Sequence, residues 1–466
     1  MIRRGRLLGR TRHVHFVGIG GIGMSGIAEI LVNLGFKVSG SDLERSPITQ
    51  RLASLGAKIV IGHRAGNIAG SDVVVTSSAV AAGNPEVVAA REQSIPVIPR
   101  ASMLGELMRI RTGIAVAGAH GKTTTTSLAG AVLQEAGLDP TIIVGGRVRS
   151  LKTNVRLGQG EFLVAEADES DGTFIHLSPV LSIITNIDAE HLDFYGRLDA
   201  IYDAFVDFAR RVPFYGAVIC CIDDPNVRAV VPRFERRLWS YGFSPEADVR
   251  GELLDTGSTG SRFAVTVKGK RRGQFHLRVP GVHNVQNALA VSALAEELGI
   301  KPAALRRAFA SFEGVARRFE IKGERDGILF VDDYGHHPTE IAATIRTARE
   351  SFERRVVVVF QPHRYTRTRD LHERFGSCFR EADEVFITDI YAAGERPIPG
   401  VTGEIVYRAV VRDGATKASY VPAWDDLVTA VRGSLRRGDM VITLGAGSIW
   451  KLGEALLGEK GRVRKR

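Results

Sequence analysis

The chain has 466 residues, with 44% hydrophobic and 24% charged content, the composition of a soluble globular protein too long for one core and sized for about three domains. Its formal charge of +10 sits almost wholly in the ends, on Arg3, Arg4, Arg6, Arg10 and Arg12 and on Lys460, Arg462, Arg464, Lys465 and Arg466 against Glu459, so the near-neutral body argues against a nucleic-acid surface. Three cysteines exclude a disulfide framework or a Cys-rich zinc site, and no uncharged apolar run approaches the ~18 residues of a membrane span, so a reducing cytoplasm is expected.

The first block opens with an apolar run, His13 to Val17, then GIGGIGMSG and a helical stretch to about Leu34. A strand from Lys37 to Gly40 ends at Ser41-Asp42, and VVVTSSAV, Val73 to Val80, follows. Strands alternating with helices indicate a parallel, doubly wound sheet. Gly18, Gly20 and Gly23 have G-x-G-x-x-G spacing and Asp42 lies nineteen residues beyond, where a dinucleotide fold places its ribose-binding acid. Glycines there let backbone N–H groups at a helix N-terminus approach a diphosphate, although a turn needed only for packing has the same pattern.

The second block starts with IAVAGAHGKTTTTS, Ile114 to Ser127. A strict phosphate loop has glycine where this chain has Val116, but Gly118, Gly121, Lys122 and Thr123 remain, directly after an apolar strand. The shortened loop supplies close amides, one cation on a flexible stem and a hydroxyl for Mg²⁺. Further strands end in polar residues: Glu166, Asp168, Glu169 and Asp171 after one, Asp188, Glu190 and His191 after another, and AVICCIDDP at Ala217 to Pro225. Two acidic strand ends beside such a loop favour metal binding over solvated loops. Residues 249–279 read as an antiparallel hairpin about a Gly-Lys-Arg-Arg-Gly turn at Gly269 to Gly273. A helix from about Asn284 to Leu298 follows, in which Asn284 and Asn287 either cap the helix or bond both edges of an adenine; the spacing does not separate the two.

The third block begins near Arg318. Asp332, Asp333, Tyr334, His336 and His337 end one strand; His363, Arg364, Tyr365 and Arg367 end the next; DMVITLGAGSIW closes the set. Polar clusters at neighbouring strand ends point to a substrate crevice, with Arg364 and Arg367 offering forked donors for carboxylate or phosphate.

These motifs, in this order, resemble those of the Mur ligases of bacterial cell-wall synthesis: GIGGIGMSG, GAHGKTTTT, EADESDGTF, TNIDAEHLDFY, HNVQNALA, GVARRFE, DDYGHHPTE, QPHRYTRTRD and LGAGSI. The resemblance covers nearly the whole chain and is greatest to the family's alanine-adding branch, which fits the absence of lysine between Thr185 and Arg211. It implies an α/β protein of three domains: a Rossmann-like UDP-sugar domain at 1–111, a central P-loop ATPase domain with a mixed or antiparallel β addition at 112–317, and a Rossmann-like amino-acid-positioning domain at 318–466.

The implied activity is ATP-driven amide formation between L-alanine and the lactoyl carboxylate of UDP-N-acetylmuramate, through an acyl phosphate, in peptidoglycan precursor synthesis. ATP would be held by Gly118, Ala119, His120, Gly121, Lys122, Thr123, Thr124, Asn284, Asn287, Arg318 and Asp333. Thr123 and Glu166 would bind one Mg²⁺ and His191 a second. The UDP-sugar would meet Gly18, Gly20, Gly21, Gly23, Asp42, Ser78 and Asn186, and the amino acid Tyr334, His336, His363, Arg364 and Arg367. Lys122, His191, His336 and Arg364 would be catalytic. A monomer or weak homodimer is expected, with no nucleic-acid partner and no membrane insertion.

The family usually has Gly-Thr-His-Gly-Lys where this chain has Ala119, so one phosphate hydrogen bond of ~1 to 3 kcal/mol is expected to be missing. The nearest rival is a murein-tripeptide recycling ligase acting on the same acceptor. A non-catalytic or NAD-binding Rossmann protein and a nucleic-acid-binding ATPase are the rivals from other classes.

Overall fold

The computed structural model describes residues 8–145 and 155–458, so Arg3, Arg4, Arg6 and the basic run from Lys460 lie outside the described residues. The first sheet contains β1 (His13–Val17), β2 (Lys37–Asp42), β3 (Lys58–Ile61), β4 (Val73–Thr76) and β5 (Val97–Pro99) in the order β3-β2-β1-β4-β5. All its pairings are parallel, and β1 is buried along its whole length. The order reverses at β1/β4, the edge where such a sheet opens a crevice.

The second sheet contains β6 (Thr112–Ala117), β7 (Thr141–Ile143), β8 (Val155–Arg156), β9 (Phe162–Glu166), β10 (Leu181–Ile184), β11 (Ala217–Cys221), β12 (Leu238–Gly242), β13 (Val249–Gly257), β14 (Gly260–Val267) and β15 (Lys270–Leu277). Its order is β15-β14-β13-β12-β11-β10-β6-β9-β7-β8. β6 sits between β9 and β10, parallel to both, so three loops leave the same end of neighbouring strands. The expected hairpin is present, but its turn is shorter: Lys268 and Gly269, both with positive φ, reverse the chain, and Lys270 to Gly273 already belong to β15.

The third sheet contains β16 (Glu320–Arg325), β17 (Ile328–Asp333), β18 (Arg355–Phe360), β19 (Glu384–Ile387), β20 (Lys417–Tyr420) and β21 (Asp439–Leu444), ordered β16-β17-β21-β18-β19-β20. Only β16 is antiparallel to its neighbour. The architecture is a three-domain α/β fold with a mixed second and third sheet. Residues through Glu252, with Ala264–Phe275 and Gln286–Ser311, form one compact unit; Leu253–Phe263, His276–Val285 and the chain from Phe312 form a second.

Local chemistry fixes many helix starts. Ser46-Pro47, Asn84-Pro85, Asp224-Pro225 and His337-Pro338 each place a capping side chain before a proline at the first helical position, where the missing N–H costs nothing. The helix Lys122–Glu135 has no such help: it begins with four threonines, poor helix formers, all buried. Packing against the second sheet, rather than propensity, holds it.

Glu86, in the first turn of the helix Pro85–Glu92, is fully buried. Its carboxylate accepts from Ser41 Oγ at 2.6 Å and from Asn67 Nδ2 at 2.5 Å, and lies 3.4 Å from His15 Nε2. Burial pushes the carboxyl up, but the bonds from His15, Ser41 and Asn67 outweigh it and hold the pKa down at about 2. A depressed carboxyl contributes stability that is present above its ordinary value of 4.5 and lost as pH falls toward 2. Glu86→Gln should therefore lower the unfolding free energy of this unit by roughly 3 kcal/mol at pH 7. Urea titrations of both proteins should show the difference shrinking below pH 4.5; a gap that does not change with pH would mean the charge is not its source.

Candidate active site

The first glycine loop connects β1 to the helix Ile22–Asn33. Gly18 takes φ 75°, and Gly18 N and Ile19 N both donate to Ser41 O, at 2.9 and 3.0 Å. Gly20 N donates to Asp42 Oδ2 at 2.7 Å, and a Cβ on Gly20 would lie 2.7 Å from the same oxygen. Asp42 thus braces the loop it was expected to serve. Gly21 precedes the helix with no side-chain cap, which leaves the N-terminal amides to an anion. Ser78 is exposed just beyond β4, at the β1/β4 reversal.

The second loop follows β6. Gly118 and Gly121 have φ 131° and 81°, and Gly121 leads into the helix Lys122–Glu135. Asn186, expected at the UDP-sugar, uses both ends of its amide on this loop: Oδ1 accepts from His120 N at 2.8 Å and Nδ2 donates to His120 O at 3.0 Å. Thr185 Oγ1 donates to the same carbonyl at 2.6 Å, and His120 Nε2 lies 3.2 Å from Asp188 Oδ2. Ala119 N is held by Asn186 O at 3.3 Å, so the loop keeps its backbone anchor without the threonine hydroxyl.

Lys122 points back under this loop. Its Nζ donates to Gly118 O at 2.5 Å, to Ala119 O at 3.2 Å and to both oxygens of Glu169 at 2.8 and 2.9 Å. The side chains are 18% and 5% exposed. Burial works to lower the lysine pKa, but Glu169, Asp168 and Glu190 outweigh it and the ammonium stays protonated. Burial pushes the Glu169 carboxyl up, to about 7.

Glu166 ends β9, paired with Val116 of β6, and accepts from Gly145 N at 2.7 Å. Thr123 and Thr124 are buried in the first turn of the helix. Glu169, Glu190 and His191 bring one ligand atom each within 4.8 Å of one another; of the expected metal residues, only His191 belongs to this set. His191 holds φ 55°, strained for a residue with a Cβ. Asn287 packs on the loop: its Oδ1 accepts from Thr125 Oγ1 at 3.1 Å, and a Cβ on Gly121 would lie 2.7 Å from it. Asn284 Nδ2 donates to Pro280 O at 2.7 Å.

In the second unit the loops after β17, β18 and β19 form a cluster of rings. Tyr334 lies under two guanidinium groups, Arg317 at 5.0 Å and Arg318 at 5.4 Å from its centroid. His336 stands edge-on to Tyr334 at 5.5 Å and 5.4 Å from His363, which stacks on Tyr391 at 5.7 Å. Burial, with Arg367 nearby, pushes His336 down to about 3 and His363 to about 4, so both rings are neutral at neutral pH. His336 Nδ1 lies 3.0 Å from Tyr334 O, which places its proton there and leaves a lone pair on Nε2.

Arg364 holds φ 70° at the start of the helix Tyr365–Cys378, its N donates to Tyr391 O at 2.9 Å, and its buried Nε has no partner among the described residues. Arg367 Nη1 lies 3.2 Å from His363 Nδ1. Asp333, expected at ATP, accepts from Phe319 N at 2.6 Å and Gly335 N at 2.7 Å, and burial pushes it up to about 6. Arg318 Nη1 donates to Glu340 Oε1 at 3.1 Å.

Sequence reasoning missed Arg317, Tyr391 and Arg100. Arg317 pairs with Asp332 at 2.9 Å, and Arg100 joins Asp168 at 3.1 Å beside Gly23. An aromatic residue soon after the strand Glu384–Ile387 is the available signal for Tyr391; Arg317 lies in GVARRFE beside Arg318, and nothing local marks Arg100.

Three family models match the chain in succession: the Mur ligase family catalytic domain at residues 13–112, the Mur ligase middle domain at 116–295, and the Mur ligase glutamate ligase domain at 317–447. A UDP-N-acetylmuramate–L-alanine ligase of Solidesulfovibrio magneticus is 55% identical over 95% of this chain and 97% of its own, and one of Pelobacter propionicus is 54% identical over 97% and 98%. The crystal structure of the Thermotoga maritima UDP-N-acetylmuramate–alanine ligase superposes with a TM-score of 0.78 at 32% identity, covering 95% of this chain and 97% of that one. A murein peptide ligase from Psychrobacter arcticus shares the fold, with a TM-score of 0.70 at 23% identity over 96% and 98%. Likeness that runs through all three sheets and spans nearly the whole of both partners reflects common descent, and the chain belongs to the Mur ligase family.

Proposed function

We propose that the chain joins L-alanine to the lactoyl carboxylate of UDP-N-acetylmuramate with ATP, in cytoplasmic peptidoglycan precursor synthesis. The buried Lys122 ammonium in a shortened glycine loop carries this reading, in a chain 55% identical to a relative named for that ligation. The tripeptide-recycling alternative has less support, because the murein peptide ligase structure is only 23% identical.

The roles follow from chemistry at each position. Gly18, Gly20, Gly21 and Gly23, with Asp42 and Ser78, receive the UDP-sugar at the uncapped helix. The loop Gly118 to Thr124 takes the triphosphate, with Asn284 and Asn287 toward adenine and Arg318 as a further nucleotide contact. The lactoyl carboxylate oxygen attacks the γ-phosphorus and ADP leaves; the alanine amine then attacks the acyl carbon and phosphate leaves. Lys122 stabilises charge on the transferring group. The donors Thr123, Glu166 and His191, with carboxylates close by, suit Mg²⁺, which would neutralise the phosphate oxygens.

The amine attacks only through a lone pair, so its proton needs an acceptor. His336 Nε2, with its lone pair free, accepts a hydrogen bond from the amine and orients it, while the proton, which a ring held at about 3 is too weak a base to keep, leaves with the departing phosphate. Arg364 and Arg367 hold the alanine carboxylate, and Tyr334 and His363 wall the subsite. An arginine Nε buried without a partner is a donor waiting for an acceptor.

Lys122→Ala should reduce kcat by about 10³-fold or more. UDP-N-acetylmuramate affinity, followed by calorimetry, should stay within threefold because its loop is separate; equal loss of both would end the two-site reading. At whichever of Arg364 and Arg367 holds the carboxylate, Arg→Lys keeps charge but loses the fork. That variant should raise the KM for L-alanine at least tenfold, about 1.4 kcal/mol. The KM values for ATP and UDP-N-acetylmuramate should move far less, and an unchanged alanine KM in both variants would remove the pair from this role.

A further inference from the structure

Lys122 is already occupied. Both carboxylate oxygens of Glu169 sit within 2.9 Å of its Nζ, and the Gly118 and Ala119 carbonyls take its remaining donors. An ammonium has three N–H groups, so nothing is left for a phosphate oxygen until one of these partners is released. The carbonyls belong to the loop itself; Glu169 is the partner that can be exchanged.

The surroundings set the terms of that exchange. Asp168 and Glu190 also act on Lys122, so three carboxylates face one ammonium. Arg100 offsets Asp168 at 3.1 Å, and His191 Nε2 lies 3.9 Å from Glu169 and 3.8 Å from Glu190. Glu169 is held in place from behind: its backbone carbonyl accepts from Tyr195 Oη at 2.6 Å and from Gly172 N at 3.0 Å. A triphosphate arriving alone would meet a lysine already paired, and drawing that lysine away would leave the buried Glu169 carboxylate without its ammonium.

We propose that Glu169 is a positioning residue that parks Lys122 in the nucleotide-free enzyme and yields it only when a divalent cation arrives with the nucleotide. A cation beside Glu169 would compensate its carboxylate when the lysine turns to phosphate. Glu169 thereby makes the loop select metal-bound over metal-free nucleotide, a property beyond the ligation itself. This inference rests on the reading of the loop as the ATP site.

The test is calorimetric titration of the full chain with ATP, in EDTA and in excess Mg²⁺, for the parent protein and for Lys122→Ala, Glu169→Gln and Glu169→Asp. Glu169→Gln should bind metal-free ATP at least fivefold more tightly than the parent and lose most of the tightening that Mg²⁺ brings. Glu169→Asp, which keeps the charge but draws the carboxylate back from Nζ, should gain at least twofold in EDTA; it serves as the probe if the Gln variant does not fold. A lower melting temperature with metal-free affinity unchanged or weakened would make Glu169 a merely structural partner and overturn the proposal. If Lys122→Ala leaves ATP affinity unchanged with and without metal, the parent reading of the loop fails, and this inference fails with it.

Discussion

A cation withdrawn from water must have an anion beside it, and the second sheet is arranged around that requirement. Lys122 stands only 18% exposed beneath a loop whose carbonyls alone cannot neutralise it. Glu169 meets the need, which requires β9 to deliver its acidic loop next to β6. The loop must also be rigid, since a carbonyl cradle that relaxes no longer holds the ammonium. Thr185 and Asn186, from the strand on the other side of β6, supply that rigidity through His120. The three neighbouring strands are thus needed for one charge.

The two units use the same device. In each, side chains leave the carboxyl ends of adjacent parallel strands, where loops are free to vary while the sheet keeps their origins fixed. Strain accumulates there: His191, Arg317 and Arg364 all hold positive φ, which costs on the order of 1–3 kcal/mol each and persists only where surrounding structure enforces it. At Arg364 the enforcing contact is visible, a backbone bond to Tyr391 O at 2.9 Å.

Burial disfavours charge in both units, and the neighbouring groups decide the outcome. Where Lys122 is kept charged by carboxylates, His336 and His363 are kept neutral by desolvation with arginines nearby. Neutral rings beside arginines leave the guanidinium groups as the cationic donors of this cluster. Asp333, raised to about 6, belongs to the scaffold of that site, because its oxygens are committed to Phe319 and Gly335 amides.

The sequence alone determined what depends on neighbours in the chain. Val- and Ile-rich runs, glycines at their ends and the Gly-Lys-Thr step marked β6, its loop and the helix beyond, because backbone conformation and short-range spacing are local properties. The same holds for the polar ends of β17 and β18. The tertiary structure alone decided partnership. In the fold Asn186 bonds the His120 backbone, Asn287 accepts from Thr125 and Asp333 binds backbone amides, contacts that the spacing in the chain does not foretell. In each case a polar side chain has several chemically acceptable partners, and only the fold says which is within 3 Å or so. Glu169 is the sharpest instance: one acid among four in EADESD, it is distinguished from Glu166 and Asp168 only by the path of the loop after β9, which carries its carboxylate to Lys122.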